Sequence, residues 1–251
     1  MKNTISYILI LFITGYSAFG QMPFEKHKAI KVKEYKKWIS IDKIDKEGKL
    51  ISYITIPAFF KSNQSITIQF ICNNALDYST IKIFKNKSLI QTIREPDPFY
   101  GLQTPYPVFL ADYNNDSLID IKFLVPNFAC GAFNTYSRVI YLLQKKDGKF
   151  NKISFTDHFN EEATNRLEMD FDNDGKFEII TETFQNYKKH NYWVYNLYDF
   201  HNYELKNVNQ KEDYPIMIQL LYCGNSNITK NLTREKMKSF TRKLPDDYNS
   251  K

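Results

Sequence analysis

Two short stretches of the sequence place carboxylate and amide side chains at alternate positions. The first reads ADYNNDSLIDIK (111–122) and the second reads MDFDNDGKFEII (169–180). Numbered from the first acid of each loop, positions 1, 3, 5 and 9 are Asp112, Asn114, Asp116 and Asp120 in the first loop, and Asp170, Asp172, Asp174 and Glu178 in the second. A tight loop that turns its odd-numbered side chains inward brings such oxygens together.

Converging oxygens of this kind suit Ca²⁺, which takes about six to eight oxygen ligands and tolerates irregular geometry. The backbone carbonyl groups of Leu118 and Lys176, at position 7, would add a further ligand to each loop. Position 6 must bend sharply, which Gly175 does without steric cost and Ser117 does less well. An all-oxygen ligand set excludes soft-metal sites and favours Ca²⁺ over Mg²⁺, which demands stricter geometry.

Electrostatic repulsion also favours a bound cation, because clustered carboxylates raise one another's pKa. An EF-hand is excluded because position 12 is Phe123 in the first loop and Thr181 in the second, where that motif has a bidentate Glu. A single turn rich in Asp and Asn is more often a solvated turn than a metal site. Two such turns in the same register, each with apolar runs on both sides, favour metal binding over that alternative.

The two acidic loops lie within a series of short β-like runs separated by turn signals. Position 9 of each loop falls at the start of the next apolar run, so the sequence predicts two strand–loop–strand sites. Asp112 and Asp170 are 58 residues apart, and similar strand patterns follow each of them. This period is near that of a four-stranded propeller blade. Chance similarity between two β-meanders is the alternative.

The predicted fold is mostly β, with blade-like antiparallel β-meander repeats in a partial or small propeller-like arrangement and a short C-terminal helix. That helix is predicted within 233–244, where Thr233 can cap its N-terminus. We predict a signal peptide at 1–20, a basic N-terminal segment at 21–36, a β-repeat domain at 37–228, and a C-terminal helix and tail at 229–251. Repeat units are predicted near 106–163 and 164–222.

The loop pattern resembles that of a known family. The spacing Asp-x-Asp/Asn-x-Asp-Gly-x-x-Asp, followed by an Ile/Val-rich strand, is similar to the calcium loop of FG-GAP and VCBS-type repeats, which occur in integrin α-chain propellers and in exported bacterial proteins. The resemblance covers about 106–126 and 164–184, and implies Ca²⁺ at the side chains of positions 1, 3, 5 and 9 in both loops. This sequence departs from the family at Ser117, which replaces Gly, and at Glu178, which replaces Asp.

The first twenty residues are typical of a signal peptide. Lys2 gives a positive start, Ile5–Tyr16 is an apolar run, and the small residues Ala18 and Gly20 precede Gln21. An uncleaved membrane anchor is the alternative, although the run is short for a span, which needs about 20 apolar residues. We therefore expect a secreted or periplasmic protein whose mature chain has no transmembrane segment.

The excess of basic residues is concentrated near the two ends of the chain, which has a net charge of +6. Attraction to an anionic surface is one interpretation, and solvated ends of a Lys-rich protein are the simpler one. Export argues against nucleic acid as a partner. Among the three cysteines, Cys130 and Cys223 are the preferred disulfide pair because each precedes a glycine in a similar setting. Buried free thiols are the alternative.

The sequence contains no recognisable catalytic motif. None of the four histidines lies in a metalloprotease spacing, and there is no Gly-x-Ser-x-Gly elbow or phosphate-binding glycine loop. Asp157 and His158 could form part of a triad, but no nucleophile is indicated. The aromatic stretch at 184–203 could stack on carbohydrate at Trp193, although burial in the core is the favoured interpretation.

We therefore predict an exported, calcium-stabilised β-repeat protein that acts as a binding or structural module. Carbohydrate or another protein at the cell surface would be its partner. The alternative is a periplasmic or secreted hydrolase in which the calcium loops only support the scaffold.

Overall fold

A computed structural model of the protein describes residues 24, 26–36, 39–41, 49–60, 63–73, 78–96, 107–128, 135–159, 166–220 and 232–250. The predicted signal peptide lies outside these residues, as do Cys130 and Cys223 with their predicted disulfide. Cys72 is a buried free thiol.

The described residues form seventeen strands. In chain order these are β1 (Lys28–Ala29), β2 (Lys33–Tyr35), β3 (Ile39–Ile41), β4 (Lys49–Ile56), β5 (Ile66–Asn73), β6 (Ser79–Lys85), β7 (Ser88–Glu95), β8 (Val108–Ala111), β9 (Asp120–Phe128), β10 (Thr135–Gln144), β11 (Phe150–Asp157), β12 (Glu168–Asp170), β13 (Glu178–Tyr187), β14 (His190–His201), β15 (Glu204–Asn207), β16 (Ile216–Gln219) and β17 (Asp246–Ser250).

These strands make three antiparallel sheets. The N-terminal sheet has the order β3-β4-β5-β6-β7, and the central sheet has the order β17-β11-β10-β9-β8-β2. The C-terminal sheet has the order β1-β12-β13-β14-β15, with β16 also paired to β14. Each sheet contains a meander of four consecutive strands, β4–β7, β8–β11 or β12–β15. The prediction of a mostly β, antiparallel fold is confirmed, and none of the described sheets closes into a barrel.

The central sheet is covered on both faces because its middle strands carry apolar side chains on both faces. Along β10, Val139, Tyr141 and Leu143 join a core shared with the C-terminal sheet. Ile140 and Leu142, on the opposite face, join a core shared with the N-terminal sheet. Successive side chains of a strand point to opposite faces, so one apolar run supplies two cores. This packing places the central and C-terminal sheets against each other.

Buried ion pairs cross both of these sheet contacts. The Lys122 ammonium lies 2.9 Å from each carboxylate oxygen of Glu168, which links β9 to β12. Glu95 of β7 receives Arg138 Nε and Lys152 Nζ, each at 2.9 Å, which links the N-terminal sheet to the central one. A buried ion pair is strongly destabilising when one partner is removed, so these pairs constrain how the sheets are packed.

The two ends of the described chain add strands to these sheets. Residues 28–29 and 33–35, within the predicted basic segment, pair with β12 and β8. The C-terminal helix, α1, spans Arg234–Lys238 and is shorter than the predicted range. Thr233 caps its N-terminus as predicted, because the side-chain oxygen accepts a hydrogen bond from Lys236 N at 3.3 Å. After the helix, β17 pairs with β11 at the edge of the central sheet.

Candidate metal site

The two acidic loops connect equivalent strands in neighbouring sheets. The first loop joins β8 to β9, and the second joins β12 to β13. Position 9 begins the following strand in both loops, as the sequence predicts. Asp120 pairs across the strands with Ala111, and Glu178 pairs with Met169. Each loop is thus a strand–loop–strand turn closed at the same register.

The carboxylate at position 9 closes each loop through a backbone amide. Tyr113 N donates to Asp120 Oδ2 at 3.0 Å, and Phe171 N donates to Glu178 Oε2 at 2.9 Å. Both donors are at position 2, and both carboxylates are buried. Glu178 therefore does in the second loop what Asp120 does in the first, despite its longer side chain.

Two further hydrogen bonds recur inside the loops. The amide at position 7 donates to the carboxylate at position 5, from Leu118 to Asp116 at 2.8 Å and from Lys176 to Asp174 at 2.7 Å. The amide at position 5 donates to the side-chain oxygen at position 3, namely Asn114 at 3.3 Å in the first loop and Asp172 at 3.2 Å in the second. The same local chemistry folds both loops.

Backbone conformation also matches between the loops. Position 4 has a positive φ in both, at +58° for Asn115 and +60° for Asn173, and position 6 does so at +65° for Ser117 and +85° for Gly175. Asn visits this region more readily than other non-glycine residues. Ser117 is held there at a cost of about 1 kcal/mol or more. Asn at position 4 was a sequence signal for this turn that the spacing argument did not use.

In the second loop, three carboxylates converge. One carboxylate oxygen from each of Asp170, Asp172 and Asp174 lies within 4.8 Å of the others. Asp170 is only 6% exposed, and its Oδ1 atom has no hydrogen-bond partner among the described residues. A buried polar atom left without a partner costs about 1–3 kcal/mol, so the loop holds an oxygen ready for a further contact. Hard, anionic oxygens in this arrangement could bind a hard cation such as Ca²⁺.

Lys211 provides a cation beside this loop that the sequence analysis missed. Its Nζ atom lies 2.9 Å from Asp172 Oδ2, 3.1 Å from Glu178 Oε1 and 3.2 Å from Asp199 Oδ2. Burial alone would raise the pKa of Asp172, but the hydrogen bond from Lys211 brings that pKa below its usual value. Burial has the larger effect on Glu178 and raises its pKa. No local pattern links Lys211 to a loop so far away in the sequence.

More carboxylate oxygens already accept hydrogen bonds from backbone amides in the first loop than in the second. Asp112 accepts hydrogen bonds from Asp116 N at 3.0 Å and Ser117 N at 2.8 Å. Asp120 Oδ1 accepts from Gln144 N at 2.7 Å, and burial raises the pKa of this carboxyl to about 7, with a smaller contribution from the charges of Asp116 and Asp112. Within the described residues, three carboxylates converge in the second loop, whereas the first loop has the amide of Asn114 at position 3 in place of a carboxylate.

Asp157, His158 and Trp193, which were considered for catalysis or carbohydrate stacking, have structural contacts. Both oxygens of Asp157 accept backbone amides, from Phe159 at 2.6 Å and Glu182 at 3.0 Å. The ring centroids of Trp193 and His158 are 5.5 Å apart, and Trp193 packs against the core shared by the central and C-terminal sheets. These contacts stabilise the edge of that core.

The chain matches no protein-family model, no curated protein and no solved structure. In the described part of the chain, no helix has the length and apolar character needed to cross a bilayer.

Proposed function

We propose that this protein is an exported β-repeat module that Ca²⁺ stabilises and that binds a partner outside the cytoplasm. The strongest site is the second loop, where Asp170, Asp172 and Asp174 would bind the ion. The observation that carries the proposal is the convergence of these three carboxylates, one of which, Asp170, has a buried oxygen (Oδ1) without a hydrogen-bond partner among the described residues.

The remaining predicted ligands have supporting roles in this proposal. Glu178 closes the second loop and adds negative charge to it, and the Lys176 carbonyl would provide another oxygen. The first loop, with Asp112, Asn114, Asp116, Leu118 and Asp120, would be a weaker site. Its weakness follows from the strain at Ser117 and from carboxylates that already accept amide hydrogen bonds.

A Ca²⁺ ion at either loop would connect the end of one strand to the start of the next. Such a link between consecutive strands would stabilise a blade-like repeat, in which each unit packs its sheet against a neighbour. The recurrence of three hydrogen bonds and two positive φ values in both loops supports a repeat. We propose a binding role rather than hydrolysis because Asp157, the acid considered for catalysis, uses both oxygens for backbone amides.

Thermal unfolding of the Asp174→Ala variant tests the proposal. At a hundredfold excess of Ca²⁺ over its dissociation constant, one site would stabilise the protein by about 2.7 kcal/mol. We expect the variant to lose most of this stabilisation in calcium buffer, and to be only about 1 kcal/mol less stable than wild type in a chelator, where it loses the hydrogen bond from Lys176 N. For a protein of this size, the loss would lower the melting temperature by roughly 5–10 °C.

Asp147→Ala is the matched control, because Asp147 is an exposed carboxylate in the turn between β10 and β11. Its effect should be the same with calcium and with chelator. A wild-type melting temperature that does not respond to Ca²⁺ would refute the proposed metal site.

A further inference from the structure

A cleft of about 380 Å³ lies between the two acidic loops. Tyr113, Asn114 and Asn115 of the first loop line one side of it. The other side is lined by residues 174 and 176–178 of the second loop, 199–201 at the end of β14, and Lys211. The cleft therefore spans the contact between the central and C-terminal sheets, and neither sheet forms it alone. Clefts at such junctions are frequent sites of small-molecule binding.

The lining combines hydrogen-bond donors and acceptors with aromatic surface. Asp174 and Asp199 present carboxylate oxygens, and the two asparagine amides can both donate and accept. His201 is exposed at the rim and adds an imidazole. The rings of Phe177 and Phe200 are half-buried, so part of each ring contributes to the wall.

The charges that line the cleft are nearly balanced. Asp174, Glu178 and Asp199 face two ammonium groups, those of Lys176 and Lys211. Lys211 already pairs with Glu178 and Asp199, so its charge is compensated within the protein. The lining therefore carries no large net charge that would attract an anionic ligand, and a cationic ligand would compete for these carboxylates with Lys211 and with the proposed Ca²⁺ ion. A neutral ligand with many hydrogen-bonding groups needs no net charge in the cleft and does not compete with either cation.

We propose that this cleft binds a neutral saccharide of one or two sugar residues. Sugar hydroxyl groups donate and accept hydrogen bonds, which matches the carboxylate, amide and imidazole groups, and the apolar face of a sugar ring can pack on Phe177 or Phe200. The volume is near the lower end of small-molecule pockets, which measure about 300–1,000 Å³. This inference rests on the proposed function, because it names the ligand of the proposed binding module.

Saturation-transfer NMR with the purified protein in calcium buffer tests the inference. The probes are glucose, galactose, mannose, N-acetylglucosamine, maltose and lactose, with galacturonate as a charged comparison. We expect saturation transfer to at least one neutral sugar and weaker binding of galacturonate. His201→Ala should weaken the affinity for that sugar about fivefold, since one hydrogen bond contributes about 1 kcal/mol.

His190→Ala is the matched control. His190 and His201 occupy opposite ends of β14, which places them roughly 36 Å apart along the strand. A second variant, Asn115→Gly, removes an amide from the cleft and retains the positive φ at that position. We expect it also to weaken sugar binding, whereas His190→Ala should leave the affinity unchanged.

Three results would overturn the inference: no saturation transfer to any neutral sugar, equal losses in the two histidine variants, or galacturonate binding as tight as that of galactose. The melting temperature of the same samples, measured with Ca²⁺ and with chelator, reports separately on the metal site. A calcium-dependent melting temperature without sugar binding would reject the saccharide site alone.

Discussion

Substitution of Lys211 by Met should increase the affinity of the second loop for Ca²⁺. In the structure, the Lys211 ammonium lies 2.9 Å from Asp172 and 3.1 Å from Glu178. Ca²⁺ bound to Asp172 would therefore share a carboxylate with this ammonium, and two positive groups would lie close together. Met has a similar length and no charge, so the variant removes the competing cation while retaining the apolar stem.

The size of this increase in affinity depends on which of two responses to the repulsion costs less free energy. If Lys211 stayed in place, a doubly charged ion about 5 Å away would be repelled by roughly 7 kcal/mol at an effective dielectric constant of about 20. The Lys211 side chain is 30% exposed and can move away instead. It would then lose its ion pairs, which at about 0.2–1 kcal/mol each cost about 1–2 kcal/mol together. Movement of the Lys211 side chain away from the ion therefore costs less free energy than the repulsion.

Calorimetric titration of Ca²⁺ into the wild type and Lys211→Met should therefore show a dissociation constant about 5–30-fold lower in the variant. In a chelator the variant should be less stable than wild type, because the acidic residues near Lys211 lose their counter-ion. Lys82→Met, a substitution on β6 of the N-terminal sheet, is the control and should leave the calcium affinity unchanged. Equal affinities in wild type and Lys211→Met, or a weaker affinity in the variant, would refute the competition between Lys211 and Ca²⁺.

Two other predictions concern buried charges away from the loop. Burial raises the pKa of Glu182 from 4.5 to about 7, so the folded protein holds this proton more tightly than the unfolded chain, and stability should fall as pH rises from about 4.5 to about 7. Urea unfolding should show that Glu182→Gln reduces this loss by about 2–3 kcal/mol between pH 5 and pH 8; an unchanged pH profile would contradict the assignment. Lys122→Met should destabilise the protein by about 3–5 kcal/mol because Glu168 remains buried without its ammonium partner. The double variant Lys122→Met/Glu168→Gln should recover part of this stability, and its failure to do so would mean that unpaired charge is not the cause.

The local sequence determined the strand-rich class of the fold and the form of the two loops. The hydrogen bonds that close each loop join residues at most seven positions apart, so residue type and spacing are sufficient to specify them. The same holds for the Thr233 cap, whose partner is three residues away. The C-terminal helix was predicted over too long a range because its apolar spacing continues past Lys238, where the helix ends.

Tertiary structure alone decided which groups meet around those loops. Lys211 reaches Glu178 across 33 residues, and Lys122 reaches Glu168 across 46. The cleft requires two sheets to pack against each other, and β1 and β2 lie beside strands that occur much later in the chain. Periodicity along a strand reports which side chains are buried, but it does not specify which other sheet covers them. The acidic loops were therefore evident from the sequence, whereas the cation beside the second loop and the cleft between the two loops depend on sheet packing.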